Sequence, residues 1–372
     1  MKIGVVGGGV FGLASAWELA RRGHEVTVFE RRRIPAPDAS GTDISKAIRL
    51  EYGAATSLYA PLVARAFTRW QEVEEITGKN VYHRCGVLFL SRAYEPGGFE
   101  HESQRQLTEL GLAGQVLEAG EAARRWPQFN WSEMTAAVHN HRGGWLAAAR
   151  AVEALADCAR AEGVTIHEEA PVENVYEASS GAVVRVDITP HEFDQVVVAA
   201  GPWLGKLFPY LSSGVRVSRQ RITHYQPADP SGFDYPVWVW DIVNSGWYGF
   251  PANPDGIVKV ALHRRSETVD ADVERVEDPE FLKESRAFTG VNLPGLAESP
   301  VSGRVCLYTN SPSGDFLIDR LPGSERIVLA GCGSGHAFKF GPVLGELVAD
   351  LLESDELNPA FRLGAVATVE TW

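Results

Sequence analysis

KIGVVGGGVFGLASAWELARRGHEVTVFE, residues 2–30, reads as strand, glycine turn, helix, strand. The apolar run IGVV enters Gly7-Gly8-Gly9-Val10-Phe11-Gly12, ASAWELARRG then carries helical periodicity to a stop at Gly23, and EVTVFE alternates up to Glu30. A bare GxGxxG occurs in ordinary turns. With both strands, the helix and the terminal acid in place, it becomes the dinucleotide-binding pattern. Gly7 supplies the tight turn, Gly9 lets a pyrophosphate approach the backbone where Val10 and Phe11 open the helix, and Gly12 permits close helix packing. Glu30 is placed to hold a ribose hydroxyl. An acid there disfavours a 2′-phosphate, which leaves FAD or NAD.

The composition bounds what surrounds this unit. At 372 residues the chain is too long for one ordinary core, so two domains are expected, and 45% hydrophobic with 22% charged residues is a globular composition. Acidic residues outnumber basic ones 48 to 35, for a net charge of −13. Such a field repels nucleic acid and anionic membrane, and no apolar run is long enough to span a bilayer. The basic and apolar start could pass for a signal peptide, but its glycine spacing says otherwise. Cys85, Cys158, Cys306 and Cys332 are too few and scattered for a disulfide framework or a metal site. A cytoplasmic location is the expectation.

Two further segments return to a nucleotide. FDQVVVAAGPWLG, 193–205, is a buried strand running into a glycine turn with Gly201 and Trp203, and GVTIHEEAPVENVY before it carries Val172. RIVLAGCGSGHAFKFGPVLGELVADLLE, 326–353, is again strand, glycine loop and helix, with Pro342 in the first helical turn. The loop offers Gly333, Gly335 and His336, and the helix directs its positive end back toward them.

Taken together, GGGVFG, VVAAGPW, C-x-Y-T-N-x-P-x-x-x-F-x-I-D from Cys306 to Asp319, and GSGHAFKF resemble the monomeric sarcosine oxidase family. These are flavoenzymes of the D-amino acid oxidase-like superfamily that oxidise secondary amino acids. The resemblance spans nearly the whole chain. It implies FAD as cofactor, with the glycines above, Val172, Gly201, Trp203 and His336 around it. Cys306 stands where the family joins a thioether to the flavin 8α-methyl.

The same resemblance assigns substrate roles. SGTDISKAIRLEYG, 40–53, predicts an N-cap at Thr42 or Asp43 and a short helix with Lys46 and Arg49 on one face. In the family the Arg49 position and the lysine of GHAFKF, here Lys339, hold the substrate carboxylate, a charge-assisted clamp that lets an acidic protein bind an anion. Lys46 also falls near the flavin. It replaces an arginine of the sarcosine oxidases, and "TDISK" is closer to fructosyl-amino acid oxidases. DGIVKVALHRR, 255–265, alternates as a strand with Lys259, Ala261 and His263 on one face. Lys259 matches the residue that promotes reaction with O2, where an ammonium at ~4 Å stabilises developing negative charge by about 4 kcal/mol at most. His263, Tyr248 and Tyr308 match positions near the substrate. The implied reaction turns a secondary amine amino acid into an imine, then an aldehyde or keto product and an amine, with H2O2 formed from O2.

The expected architecture is α/β (α+β), a Rossmann-type FAD-binding domain interleaved with a mixed-sheet substrate domain. The first takes 1–84, 145–216 and 302–372; the second takes 85–144 and 217–301. In 233–251, Trp238 and Trp240 predict a strand face lined with indoles; the core of a substrate-domain sheet is one reading of these aromatics, and a wide wall that favours a bulkier amine than sarcosine is the other. Residues 99–129 read as a helical, solvated cap. A fructosyl-amino acid oxidase and an FAD-dependent amino acid dehydrogenase remain as alternatives.

Overall fold

A computed structural model describes residues 1–211, 214–264 and 266–366, so 367–372 of the expected unit 302–372 lie outside the described residues. The opening segment forms the strand Lys2–Val6, the helix Val10–Arg21 and the strand Glu25–Phe29. The two strands pair in parallel at the centre of a six-stranded sheet. Thr165–His167 flanks them on one side; Gln195–Val198, Ile327–Gly331 and Leu317–Arg320 follow on the other, the last antiparallel. The parallel strands are almost continuously apolar because both of their faces are covered. Val5, Val28, Val197 and Val328 pack under the helices Val10–Arg21, Ala148–Ala161 and Gly341–Ser354. Val6, Phe29, Val196 and Val198 pack against a three-stranded sheet of Val172–Ala178, Gly181–Val186 and Thr189–Phe193.

A second sheet of eight strands carries the rest. Its order is Val301–Asn310, Arg216–Tyr225, Val258–Leu262, Trp247–Gly249, Val237–Trp240, Val87–Ser91, Ala136–Asn140, Gln115–Glu118. Side-chain alternation splits it into two faces. Trp238, Trp240, Val258, Val260 and Leu262 form a core with Phe281 of the helix Pro279–Asn292. The opposite face presents Lys259, Val237 and Val239 to a cavity at the carboxyl ends of the first sheet's parallel strands.

Three local expectations are corrected. Residues 46–48 form a strand, Lys46–Ile48, paired with Gly144–Leu146, in place of a helix. Asp43 caps no helix; its carboxylate is drawn to Lys259 instead. The segment 99–129 is helical at Phe99–Glu109 and Ala119–Arg125 but crosses as an edge strand at Gln115–Glu118. The indole face of Val237–Trp240 lies in the core, where Trp238 and Trp240 pack against Phe288, so the indoles do not wall the cavity.

Candidate active site

Two cavities meet the ends of the parallel strands. The larger, about 570 Å³, is lined by Gly7, Gly9, Val10, Phe11 and Glu30, and across from them by Val172, Gly201 and Trp203. Gly12 lies behind the turn, where a Cβ would sit 1.8 Å from the Gly7 carbonyl oxygen, so any side chain would prise the helix off the strand. Glu30 is buried, and its carboxylate accepts from the Gly8 amide at 2.6 Å and the Arg32 amide at 2.9 Å. Burial raises its pKa above the usual carboxylate value, with the two amide hydrogen bonds opposing the rise.

The smaller cavity, about 340 Å³, collects residues from across the chain: Lys46, Arg49, Tyr248, Lys259, His263, Tyr308, Gly335, His336 and Lys339 all line it. Gly335 takes a φ of 77°, and a Cβ there would lie 2.3 Å from the Tyr308 ring; only glycine lets loop and ring meet. Gly333 borders Phe11 and Ala337 beside this loop. The Trp70 indole donates to the Lys339 carbonyl at 2.7 Å and ties the loop to the helix Thr56–Thr77.

Arg49 and Lys339 share the aromatic ring of Tyr52, the guanidinium 4.6 Å and the ammonium 5.3 Å from its centroid. Lys339 donates to the Tyr52 hydroxyl at 2.8 Å and to the His336 carbonyl at 2.5 Å. Neither cation pairs with a carboxylate among the described residues, and Arg49 Nη1 is buried with no hydrogen-bond partner. Burial and the neighbouring Arg49 charge push the pKa of the Lys339 ammonium well below its usual value. An anion placed here would reverse that. Desolvation at the cavity wall, with Arg49 and Lys339 adding to it, lowers His263 to about 4 although the residue is exposed to solvent, so this ring is neutral at physiological pH.

Lys259 is paired. Its ammonium lies 2.5 Å from Asp43 Oδ2 and 2.6 Å from the Ser45 carbonyl oxygen. Sequence reasoning treated Asp43 only as a cap, and it passed over Tyr52, which lies three residues beyond Arg49 in the same segment. Cys306 is buried between the cavities. Its Sγ lies 3.5 Å from the carbonyl oxygen of Ser40, which lines the larger cavity, while Tyr308, on the same strand face, lines the smaller. Cys332 packs in the apolar core below the first sheet, and burial pushes its thiol up to about 12.

Residues 2–351 match the family model described as FAD dependent oxidoreductase. The chain belongs to the FAD-dependent oxidoreductase family. It is 27% identical over 355 residues to monomeric sarcosine oxidase of Bacillus sp. (strain B-0618), covering 93% of this chain and 90% of that one. It is 29% identical over 364 residues to N-methyl-L-tryptophan oxidase of Yersinia pestis (strain Pestoides F), covering 95% of each. The fold is that of fructosyl amine:oxygen oxidoreductase (Amadoriase I) from Aspergillus fumigatus, with a TM-score of 0.82 at 21% identity over 97% of this chain and 89% of that one.

The two cavities suit the FAD that this family uses. A Cβ at Gly9 would meet nothing within 4 Å, so the turn has open space in front of the helix N-terminus, where a pyrophosphate fits. In the segment 42–49, which reaches the smaller cavity at Lys46 and Arg49, Thr42 Oγ1, Ser45 Oγ and Arg49 Nη1 are buried without hydrogen-bond partners. Buried polar atoms are normally satisfied, so this run of orphans marks where a polar group belongs. Among the described residues no helix is long and apolar enough to cross a membrane.

Proposed function

We propose that this FAD-dependent oxidoreductase is an oxidase of N-alkyl amino acids of the sarcosine and N-methyl amino acid type. The observation that carries the reading is the pair Arg49 and Lys339, two cations in one cavity with Tyr52 between them and, among the described residues, no carboxylate in an ion pair with either. A bound carboxylate would accept from the Arg49 fork and the Lys339 ammonium together. Clamping it there fixes the neighbouring amine and its C–H bonds against the opposite wall, a positioning effect. Tyr248, Tyr308 and the neutral His263 complete that wall. The names of the sarcosine and N-methyl-L-tryptophan oxidases support the substrate class.

FAD would lie with its pyrophosphate at the Gly7–Gly12 turn, Glu30 on a ribose hydroxyl and Val172 by the adenine. Its ring would lie near Lys46, Gly335 and His336. Bound there, FAD would supply the two-electron redox chemistry between the amine and O2. Lys259 holds a positive charge where negative charge develops on oxygen. Cys306 is assigned the thioether to the flavin 8α-methyl, supported by its burial between the cavities. The dinucleotide unit takes 1–84, 145–216 and 302–372 and the substrate unit takes 85–144 and 217–301; the long strands Arg216–Tyr225 and Val301–Asn310 pass between them. A reducing, cytoplasmic setting accords with four free cysteines.

Lys46 favours a second reading, a fructosyl-amino acid oxidase. Peroxide formation with sarcosine, N-methyl-L-tryptophan, pipecolate and fructosyl-glycine separates the two. Turnover of N-methyl amino acids is the expected result. Turnover of fructosyl-glycine alone would replace the first reading with the second, and flavin reduction without peroxide would make the protein a dehydrogenase.

A further inference from the structure

We propose that Asp43 is the positioning residue of Lys259: it holds that ammonium charged and aimed into the cavity, and so sets the pH range over which the enzyme reacts with O2. The inference rests on the reading of Lys259 given above. It adds a residue with no assigned role.

The two side chains are 216 positions apart in sequence, yet they meet at 2.5 Å with 1% and 0% of their surface exposed. A lysine taken so fully out of water loses its proton unless a counter-ion keeps it. Asp43 supplies that counter-ion. A lysine ammonium has three hydrogens. One goes to Asp43 Oδ2 and one to the Ser45 carbonyl, both from the segment just before the strand Lys46–Ile48. The third is left for the cavity that Lys259 lines. The Phe250 ring, 4.6 Å from Nζ, backs the ammonium on another side.

The surrounding charges decide what Asp43 contributes. Facing the pair are Lys46, whose Nζ is 3.8 Å from Asp43 Oδ2, and His224, whose Nε2 is 3.5 Å from Oδ1 and which sits opposite Lys259 in the strand ladder. The Cys306 thiol and the Tyr248 and Tyr308 hydroxyls are further titratable neighbours. Among the described residues Asp43 is therefore the one carboxylate in a cluster with two lysines and a histidine. Burial works to raise its pKa, but Lys259 above all, then His224 and Lys46, hold it well below the usual range. At Lys259 burial dominates and brings the ammonium down to about 8, with Asp43 resisting the fall and Lys46 adding to it. Without Asp43 the remaining neighbours are cationic or neutral, and the proton would leave at lower pH.

The test is stopped-flow reoxidation of the reduced holoenzyme by O2 from pH 6 to 9.5, beside anaerobic reduction by substrate, for wild type and the variants D43N, K259M, K259R and D43N/K259R. Wild-type reoxidation should fall as pH rises through about 8. In D43N the fall should move at least one pH unit lower, about tenfold less reoxidation on that limb for each unit of displacement, with reduction little changed. D43N/K259R should restore a flat profile, because a guanidinium keeps its charge without a counter-ion. A K259M variant that reoxidises like wild type would remove the reading of Lys259, and the proposal with it. A slow K259M beside a D43N profile superimposable on wild type would overturn the role of Asp43 alone. So would equal loss in both half-reactions without any shift in pH. Because D43N can fail to fold, the wild-type protein labelled with 13C at lysine Cε gives a second readout, the Lys259 resonance being the one missing in K259M. A charged Lys259 at pH 7 is expected, and a neutral amine there would refute the proposal.

Discussion

The guanidinium of Arg49 lies 4.6 Å from the ring centroid of Tyr52, whose hydroxyl accepts a hydrogen bond from Lys339 at 2.8 Å. One tyrosine thus holds two cations apart, on a ring face and at a hydroxyl, with room for an anion to bridge them. That spacing is the basis of the proposed carboxylate clamp.

Removing either cation tests it. Charge-assisted hydrogen bonds contribute about 1.5–3 kcal/mol each. R49M and K339M should each weaken binding of a small carboxylate inhibitor roughly 10- to 150-fold, read from perturbation of the flavin spectrum. R49K should recover only part of the loss, since an ammonium lacks the fork. Unchanged inhibitor binding in both methionine variants would exclude the clamp.

His263 makes a prediction about stability. Its pKa is lowered from 6.5 to about 4, so between those values the unfolded chain binds the extra proton and the folded chain does not. Stability is fully present above pH 6.5 and is lost as pH falls toward 4. The full shift corresponds to about 3 kcal/mol, and because the ring borders the open cavity, screening by water reduces this to about 1 kcal/mol. Melting temperatures of wild type and H263N should converge as pH drops from 7 to 4. A constant gap between them would show that the ring is not held neutral by its site.

Cys306 carries the covalent bond in this account. After acid precipitation the yellow colour should stay in the wild-type pellet and pass to the supernatant for C306A, which still binds FAD when native. Colour released from both would leave Cys306 as a buried packing residue.

Helix packing links stability to the loop that carries Lys339. A Cβ on Gly345 would lie 2.2 Å from the Ala14 carbonyl oxygen, backbone that cannot swing aside. G345A should destabilise by about 1–3 kcal/mol or more and should also lower flavin retention, since the same helix closes the loop through Gly335 and Lys339. Thermal melts with and without added FAD measure both effects.

The parts of the fold that were legible in the sequence are those set by local pattern. Lys2–Phe29 declares itself because turn, helix and flanking strands lie within one continuous segment, and the loop from Gly331 to Pro342 does so for the same reason. Residues 46–48 misled because a cap-like Asp43 ahead of a short mixed segment resembles a helix start, whereas the strand exists only through pairing with Gly144–Leu146, nearly a hundred positions away. Gln115–Glu118 was missed likewise, as an edge strand stabilised by Ala136–Asn140. Lys259 could be placed on a strand face by alternation. Its partner could not, because nothing local to Asp43 announces a lysine 216 positions further on. The indoles at Trp238 and Trp240 were read to the correct face of their strand, but which face met the cavity depended on the docking of the helix Pro279–Asn292.

The most direct test of the central claim is anaerobic reduction of the bound flavin, followed by loss of its visible absorbance, with an N-methyl amino acid and with the matching N-methyl amine that lacks the carboxylate. The account predicts rapid bleaching by the amino acid and little by the amine at equal concentration, because Arg49 and Lys339 then have no anion to hold. Equal bleaching by both compounds would contradict it.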